Sequence, residues 1–267
     1  MDYARGLGRA FGGALLFALP LFMTMEMWWL GGFAVPRERL LLFVVASLPM
    51  LVGLAYFAGF EKTSNLLDDG LDALAAYGVG FLLSLAALGL LGAIFAGDAL
   101  PADLGCVALC AVPAAIGALL ATTQFSSRDG QGAERRSCNY PGALFLMGVG
   151  AVFLAFNIAP TEEVALISYR MGPWRALALV VASIALLHVI VFLVGFPGQD
   201  RRRGARTPIQ RLAVYTLPGY AICLLLSAYC LWTFGRLDGV GLGERVTMIA
   251  VLSFPAALGA ATARLVI

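Results

Sequence analysis

Two adjacent carboxylates, Glu162 and Glu163, stand in the apolar segment FNIAPTEEVALIS, which covers residues 156–168. A third glutamate, Glu26, lies in the similar segment LFMTMEMWWLG. A carboxylate inside hydrocarbon costs about 2.5–3.5 kcal/mol on insertion scales, so it normally faces water, pairs with another group or takes up a proton. Glutamates in this setting are typical of cation binding and of proton transfer.

Pro160 is expected to interrupt the helix that carries the glutamate pair. It has no N–H, so the carbonyl of Phe156 loses its helical partner, and Asn157 stands beside that opening. Carbonyl, amide and carboxylate oxygens together suit a hard cation, although the residue types do not select a particular metal. We therefore predict that Asn157, Pro160 and Glu163 shape an ion site with Glu162.

The composition predicts a protein that spans a membrane several times. Of 267 residues, 61% are hydrophobic and 13% are charged, whereas a soluble domain carries about 25% charged residues. Each apolar block is long enough to cross ~30 Å of hydrocarbon as a helix. The net charge of +2 gives no reason to expect a nucleic-acid partner, and no cofactor is expected. The partners are then the lipid bilayer and an inorganic cation or proton.

Continuous apolar runs, separated by turn residues, predict an all-α fold of eight transmembrane helices. The predicted helices cover about 10–31, 40–60, 71–96, 104–124, 142–167, 174–196, 211–235 and 246–266. With the N-terminus inside, 12 of the 18 Lys and Arg residues fall on the inner side. This asymmetry predicts that both termini are cytoplasmic.

An internal repeat divides the predicted helices into two sets of four. At a shift of 136 positions, Arg39 and the following VVAS match Arg175 and a second VVAS, and Glu26 matches Glu162. We therefore predict a first repeat at 1–126, a cytoplasmic linker at 127–140 and a second repeat at 141–267. Because four is even, the repeats should be parallel and related by a pseudo-twofold axis along the membrane normal.

Three further residues are candidates for this pathway. LAAY and LAVY match across the repeats, so Tyr77 and Tyr215 are predicted to line the axis, with ordinary core packing as the alternative. His188 is the single histidine and is predicted to tune the site by pH. The alternative for His188 is a buried neutral ring bonded to a carbonyl.

These features favour an ion conduit, either a cation or proton channel or a cation/proton exchanger, with Glu26 and Glu162 as its paired carboxylates. The alternative for the glutamates is a position at the membrane surface beside the Trp28–Trp29 belt. A homodimer is common enough among such proteins to be expected.

Two other functional classes remain as alternatives. A membrane receptor or scaffold would need none of this chemistry. An intramembrane hydrolase fits less well, because one histidine does not supply an H-E-x-x-H zinc site. Glu162–Glu163 is similar to the opening motif of CAAX-type membrane proteases, but their later histidines are missing. We therefore expect no enzyme.

In MTMEMWW and FNIAPTEEVALISYR the chain resembles an uncharacterised bacterial family of integral membrane proteins, a domain of unknown function. The resemblance covers nearly the whole chain. It implies a multi-pass protein of the bacterial inner membrane and assigns no activity.

Overall fold

The computed structural model describes residues 2–31, 35–58, 65–94, 100–126, 139–192 and 208–266, and in these ranges the chain is helical and contains no strand. Seven helices are long and apolar enough to cross a membrane, and a further apolar stretch, Gly8–Phe22, is shorter. The predicted all-α class is thereby confirmed. Most of the predicted linker, at 127–138, lies outside the described ranges.

The chain divides into two compact units, the first covering Met1–Arg136. Its helices are α1 (Asp2–Phe22), α2 (Met25–Trp29), α3 (Arg37–Ala58), α4 (Leu66–Leu90) and α5 (Leu100–Ser126). α5 is the central helix, and 83% of the residues in its most apolar stretch are buried. It packs on both α1 and α4, which explains its run of alanines and other small residues.

The second unit covers Ser137–Val266. It contains α6 (Tyr140–Ile158), α7 (Glu163–Arg170), α8 (Pro173–Phe192), α9 (Pro208–Arg211), α10 (Leu217–Thr233) and α11 (Leu242–Val266). A π-helical turn, Leu212–Thr216, joins α9 to α10, so the three segments form one span, Ile209–Thr233. The N-terminus of α6 is capped by Asn139, whose side chain accepts a hydrogen bond from the Gly142 N–H.

Glycine pairs allow the first and last helices of each unit to cross at very short range. A Cβ atom on Gly13 of α1 would collide with the Gly117 carbonyl oxygen of α5, and one on Gly150 of α6 would collide with that of Gly259 in α11. Small residues at such crossings let helix backbones approach within a membrane. The same crossing therefore occurs in both units, at a shift of 137 positions in the first helix.

α4 and α10 end in the same way. Gly92 (φ +70°) and Gly235 (φ +68°) adopt the left-handed conformation that glycine permits without a Cβ penalty. The N–H after each glycine bonds back to the last helical turn, from Ala93 to the Leu88 carbonyl and from Arg236 to the Leu231 carbonyl, both at 2.9 Å. This shared cap relates α4 to α10 at a shift of 143 positions.

The helices predicted at 10–31 and 142–167 are each two helices, so the uninterrupted helix predicted at 10–31 was wrong, whereas Pro160 indicated the second interruption. α6 ends at Ile158, just before Pro160, and α7 begins at Glu163. In the first unit the interruption follows Phe22, and its nearest proline, Pro20, lies inside α1. There the Thr24 hydroxyl donates a hydrogen bond to the Pro20 carbonyl oxygen, so a side chain occupies this backbone acceptor near the end of α1.

Candidate functional site

The glutamates lie at the starts of the short helices that follow these interruptions. The Thr24 N–H donates to the Leu21 carbonyl at 3.1 Å, and the Thr161 N–H donates to the Ile158 carbonyl at 3.0 Å. The two turns thus coincide at a shift of 137 positions, the shift that also relates Gly13 to Gly150. Two residues after each threonine stands a glutamate, Glu26 in α2 and Glu163 in α7.

This register corrects the predicted pairing of Glu26 with Glu162. The shift of 136 positions relates α3 to α8. The glycine crossing and the threonine turn relate the preceding helices, α1 and α6, at a shift of 137 positions. Glu26 therefore corresponds to Glu163, and Glu162 corresponds to Met25.

Glu163 is an exposed carboxylate in the first turn of α7. The Thr161 hydroxyl, which donates to the Ile158 carbonyl at 2.8 Å and lies beside Glu163, is the largest cause that lowers the pKa of this carboxyl, followed by the backbone N–H of Glu163 itself. The charge of Arg236 acts in the same direction, and the slight burial of the group opposes them. Since a carboxylate in the first turn also faces the positive end of the helix dipole, Glu163 is held in its ionised form.

Arg236 joins the end of α6 to the turn after α10. Its Nη2 donates a hydrogen bond to the Pro160 carbonyl oxygen, and its Nη1 lies 3.9 Å from Glu162 Oε1. The arginine side chain is 18% exposed and that of Glu162 is 70% exposed. Arg236 thus lies close to Glu162, and its charge also acts on Glu163.

From the sequence, Arg236 was predicted only to be one of the basic residues on the outer side of the membrane. The signal that could have identified it is the pair Gly235–Arg236 directly after an apolar helix, because a C-terminal glycine fixes the direction of the next residue. Ala93 occupies the corresponding position in the first unit. The arginine is therefore a feature of the second unit.

Asn157 lies one turn before the interruption. Its Nδ2 donates to the Phe153 carbonyl at 2.7 Å, and its Oδ1 is buried with no hydrogen-bond partner among the described residues. A buried amide oxygen without a partner is uncommon and is a candidate ligand for water or an ion. Pro160 is buried beside it.

Glu26 occupies a different local environment. It is partly buried, between the buried Met27 and the exposed Met25. The Trp28 indole N–H donates to the Phe22 carbonyl at 2.8 Å, and the Cys106 thiol of α5 donates to the Trp28 carbonyl at 3.1 Å. These bonds fix α2 against α5 and so hold Glu26 at the end of the first unit's bundle.

The other predicted site residues lie elsewhere in their units. The His188 Nδ1 atom lies 2.8 Å from Thr216 Oγ1 in the π-helical turn. Tyr77 donates to the Ala108 carbonyl at 3.4 Å, and the Tyr215 ring packs edge-on against Tyr140 at 5.2 Å.

The structure favours a different match for Tyr77 than the predicted match with Tyr215. The shared helix cap, at a shift of 143, pairs Tyr77 with Tyr220 instead. Tyr77 bonds to the Ala108 carbonyl directly, whereas Tyr220 bonds to Ser253, whose hydroxyl donates to the corresponding carbonyl of Ala250. The local contact supports the new pairing.

Within the described residues, no group of three or more His, Cys, Asp or Glu side chains is placed to hold a metal ion. The carboxylates of the second unit instead lie beside an arginine, a threonine hydroxyl and the start of a helix. This arrangement can fix a negative charge at one end of the unit and attract a cation to it.

Comparison with known proteins gives one result. The family described as "Putative integral membrane protein (DUF2391)" matches residues 6–267, nearly the whole chain. No curated protein and no solved structure matches the chain. The chain therefore belongs to the DUF2391 family of integral membrane proteins.

Proposed function

We propose that the protein is a cation or proton conduit of the bacterial inner membrane, with Glu26 and Glu163 as its ion-attracting carboxylates. One observation carries this proposal. Each unit interrupts its first helix after the same turn, and each places a glutamate two residues after the turn threonine. A carboxylate repeated at one position of two otherwise divergent units indicates a shared role in chemistry beyond helix packing.

The proposed architecture is eight spans in two parallel repeats. α1 is the span added to the seven long apolar helices, since its 21 residues reach about 30 Å at 1.5 Å per residue. Four spans per unit return the chain to its starting side, so both termini are assigned to the cytoplasm, in agreement with the excess of basic residues there. Glu26 and Glu163 then lie at the extracytoplasmic end.

The electrostatics favour Glu163 over Glu162 as the working carboxylate. The pKa of Glu163 is lowered, so the group keeps its negative charge at neutral pH. A fixed charge at the entrance of a low-dielectric protein raises the local concentration of cations and speeds their capture. Glu162 lies 3.9 Å from the Arg236 guanidinium, whose positive charge offsets its own.

The test is ion flux into proteoliposomes under Na⁺, K⁺, Ca²⁺ and H⁺ gradients. We expect Glu26→Gln and Glu163→Gln each to lower the flux of the conducted ion by about tenfold, the scale of 1.4 kcal/mol in an equilibrium constant. Glu38→Gln is the matched control, because Glu38 also lies in the first turn of a helix. An equal loss in all three variants would contradict the assignment.

Glu162→Gln separates the two adjacent carboxylates. We expect a smaller loss of flux than with Glu163→Gln, because the main neighbour of Glu162 is an arginine. The reverse order would assign the role to Glu162.

A further inference from the structure

A file of polar side chains runs through the second unit, within helices that are otherwise apolar. Four of its members are almost completely buried, with 0–3% of the residue exposed: Ser183, Thr216, Tyr220 and Ser253. His188 is partly buried and completes the set. Burying so many hydroxyl groups is costly unless they bond to one another or to water.

The centre of the file is a cluster of three hydroxyls from three helices. Tyr220 of α10 and Ser253 of α11 are hydrogen-bonded at 2.8 Å. The Ser183 hydroxyl of α8, which donates to the Leu179 carbonyl at 2.7 Å, lies beside the same tyrosine hydroxyl. The Ser253 hydroxyl also donates to the Ala250 carbonyl at 2.8 Å, which leaves its oxygen to accept from Tyr220.

One helical turn before Tyr220, Thr216 continues the file to the imidazole of His188 at 2.8 Å. Thr216 closes the π-helical turn, a departure from the α-helix that is frequent at functional sites. The charged group that acts on the imidazole is Arg211, at the start of that turn. His188 and Arg211 therefore form the inner end of the file.

Ser227 extends the file in the other direction. Its hydroxyl is fully buried and has no hydrogen-bond partner among the described residues, which is the setting in which a buried water is normally found. From the end of α10 at Thr233, the rise of the helix places Ser227, Tyr220 and Thr216 at depths of about 9, 20 and 25 Å. The file thus covers about 16 Å, roughly half of the ~30 Å that a span crosses.

The first unit lacks three members of this file. By the shifts that relate the corresponding helices, the positions of Thr216, His188 and Ser253 are taken by apolar residues, namely Ala73, Val52 and Ala111. Three hydroxyls are retained: Tyr77, the buried Ser47, which corresponds to Ser183, and the buried Ser84, which corresponds to Ser227. His188 and the hydroxyls of Thr216 and Ser253 are therefore features of the second unit, whereas the first unit has a buried carboxylate, Asp69, at the start of α4.

We propose that this file, Ser227–Tyr220–Ser253–Thr216–His188 with bridging waters, is a proton path through the second unit. The inference rests on the proposed conduit and names the proton as its ion. Each hydroxyl or water accepts a proton on one side and releases its own on the other. His188 takes up a proton at one ring nitrogen and loses it to water at the inner end. One proton crosses, and every group returns to its starting state.

The test compares substitutions that remove a single hydroxyl. Proton flux is measured with a pH-sensitive dye inside proteoliposomes, driven by a K⁺ diffusion potential, for wild type, Tyr220→Phe and Thr216→Val. Thr247→Val is the control, because it removes a hydroxyl of the same unit that bonds only within its own helix, to the Gly243 carbonyl at 3.0 Å in an exposed position. We expect a loss of proton flux of at least tenfold in the first two variants and of less than twofold in the control.

The outcomes separate this inference from the proposed function. Flux of Na⁺ or K⁺ that depends on Glu26 and Glu163, without proton flux, would overturn the path and leave the conduit. No flux of any ion in wild type would overturn both. Retained proton flux in Tyr220→Phe would also overturn the path. If that variant folds poorly, Ser253→Ala decides by the same criterion, because it removes the next hydroxyl and leaves the tyrosine ring in place.

Discussion

The guanidinium group of Arg236 donates a hydrogen bond to the Pro160 carbonyl oxygen, 76 positions earlier in the chain. This bond closes the end of α6, where the last carbonyls of a helix have no partner of their own and carry the negative end of its dipole. The same guanidinium lies 3.9 Å from Glu162. Arg236 therefore holds the helix end while it offsets one of the two adjacent carboxylates.

Replacing Arg236 is expected to destabilise the second unit. A hydrogen bond to a charged group contributes about 1.5–3 kcal/mol, so Arg236→Ala should lower the unfolding temperature in detergent by several degrees. The control is Arg245→Ala, since Arg245 is exposed and bonds to a carbonyl only five positions away. A loss of stability no larger than in the control would contradict the capping role.

The glycine crossing of α6 and α11 should not tolerate a methyl group. Gly150→Ala would place a Cβ against the Gly259 carbonyl oxygen, a backbone atom that cannot easily move, and overpacking of this kind costs about 1–3 kcal/mol. Gly148→Ala, two residues earlier, should be neutral or stabilising, because its Cβ would meet only side-chain methyls of Ile222 and Leu226, at 3.5 and 3.6 Å. Thermal unfolding of the two variants measures the difference, and equal stabilities would rule out the close crossing.

The lowered pKa of Glu163 predicts a specific dependence of stability on pH. Because the folded-state pKa lies below the ordinary value of 4.5, the stabilisation is present above pH 4.5 and is lost as pH falls through the folded-state pKa. Thr161→Val removes the largest cause, so the difference in stability between wild type and Thr161→Val should shrink on acidification. When both proteins also carry Glu163→Gln, the stability difference caused by Thr161→Val should no longer depend on pH. A pH dependence that persists there would come from another titratable group.

The proposed orientation predicts which residues react from outside the cell. Cysteine substitution at Glu162, whose side chain is 70% exposed, should be labelled by a membrane-impermeant maleimide added to intact spheroplasts. Substitution at Ile209, which is 78% exposed at the other end of its unit, should be labelled only after permeabilisation. The opposite pattern would reverse the topology.

The sequence predicts the helices well because uninterrupted apolar runs leave a membrane-spanning chain few alternatives to an α-helix. The interruption at Pro160 was predicted for the same local reason. The break after Phe22 was not, because it depends on the Thr24 hydroxyl and on the packing of α2 against Cys106. Neither contact has a local sequence signal.

The register errors have a different physical cause. Apolar segments share many letters by composition alone, so a match such as LAAY with LAVY does not fix a helix position. In the structure, register is set by contacts that only one alignment satisfies, such as Gly13 with Gly117 or the cap at Gly235. Arg236 was missed because its partner Pro160 is remote in sequence.

The most direct test of the central claim is ion flux through proteoliposomes that contain the purified protein, with wild type beside the Glu26→Gln/Glu163→Gln double variant. The account predicts that wild type conducts protons or another cation and that flux in the double variant, folded as judged by its unfolding temperature, falls to the level of empty liposomes. Wild-type flux that survives in the double variant, or no flux under any gradient from folded wild type, would contradict it.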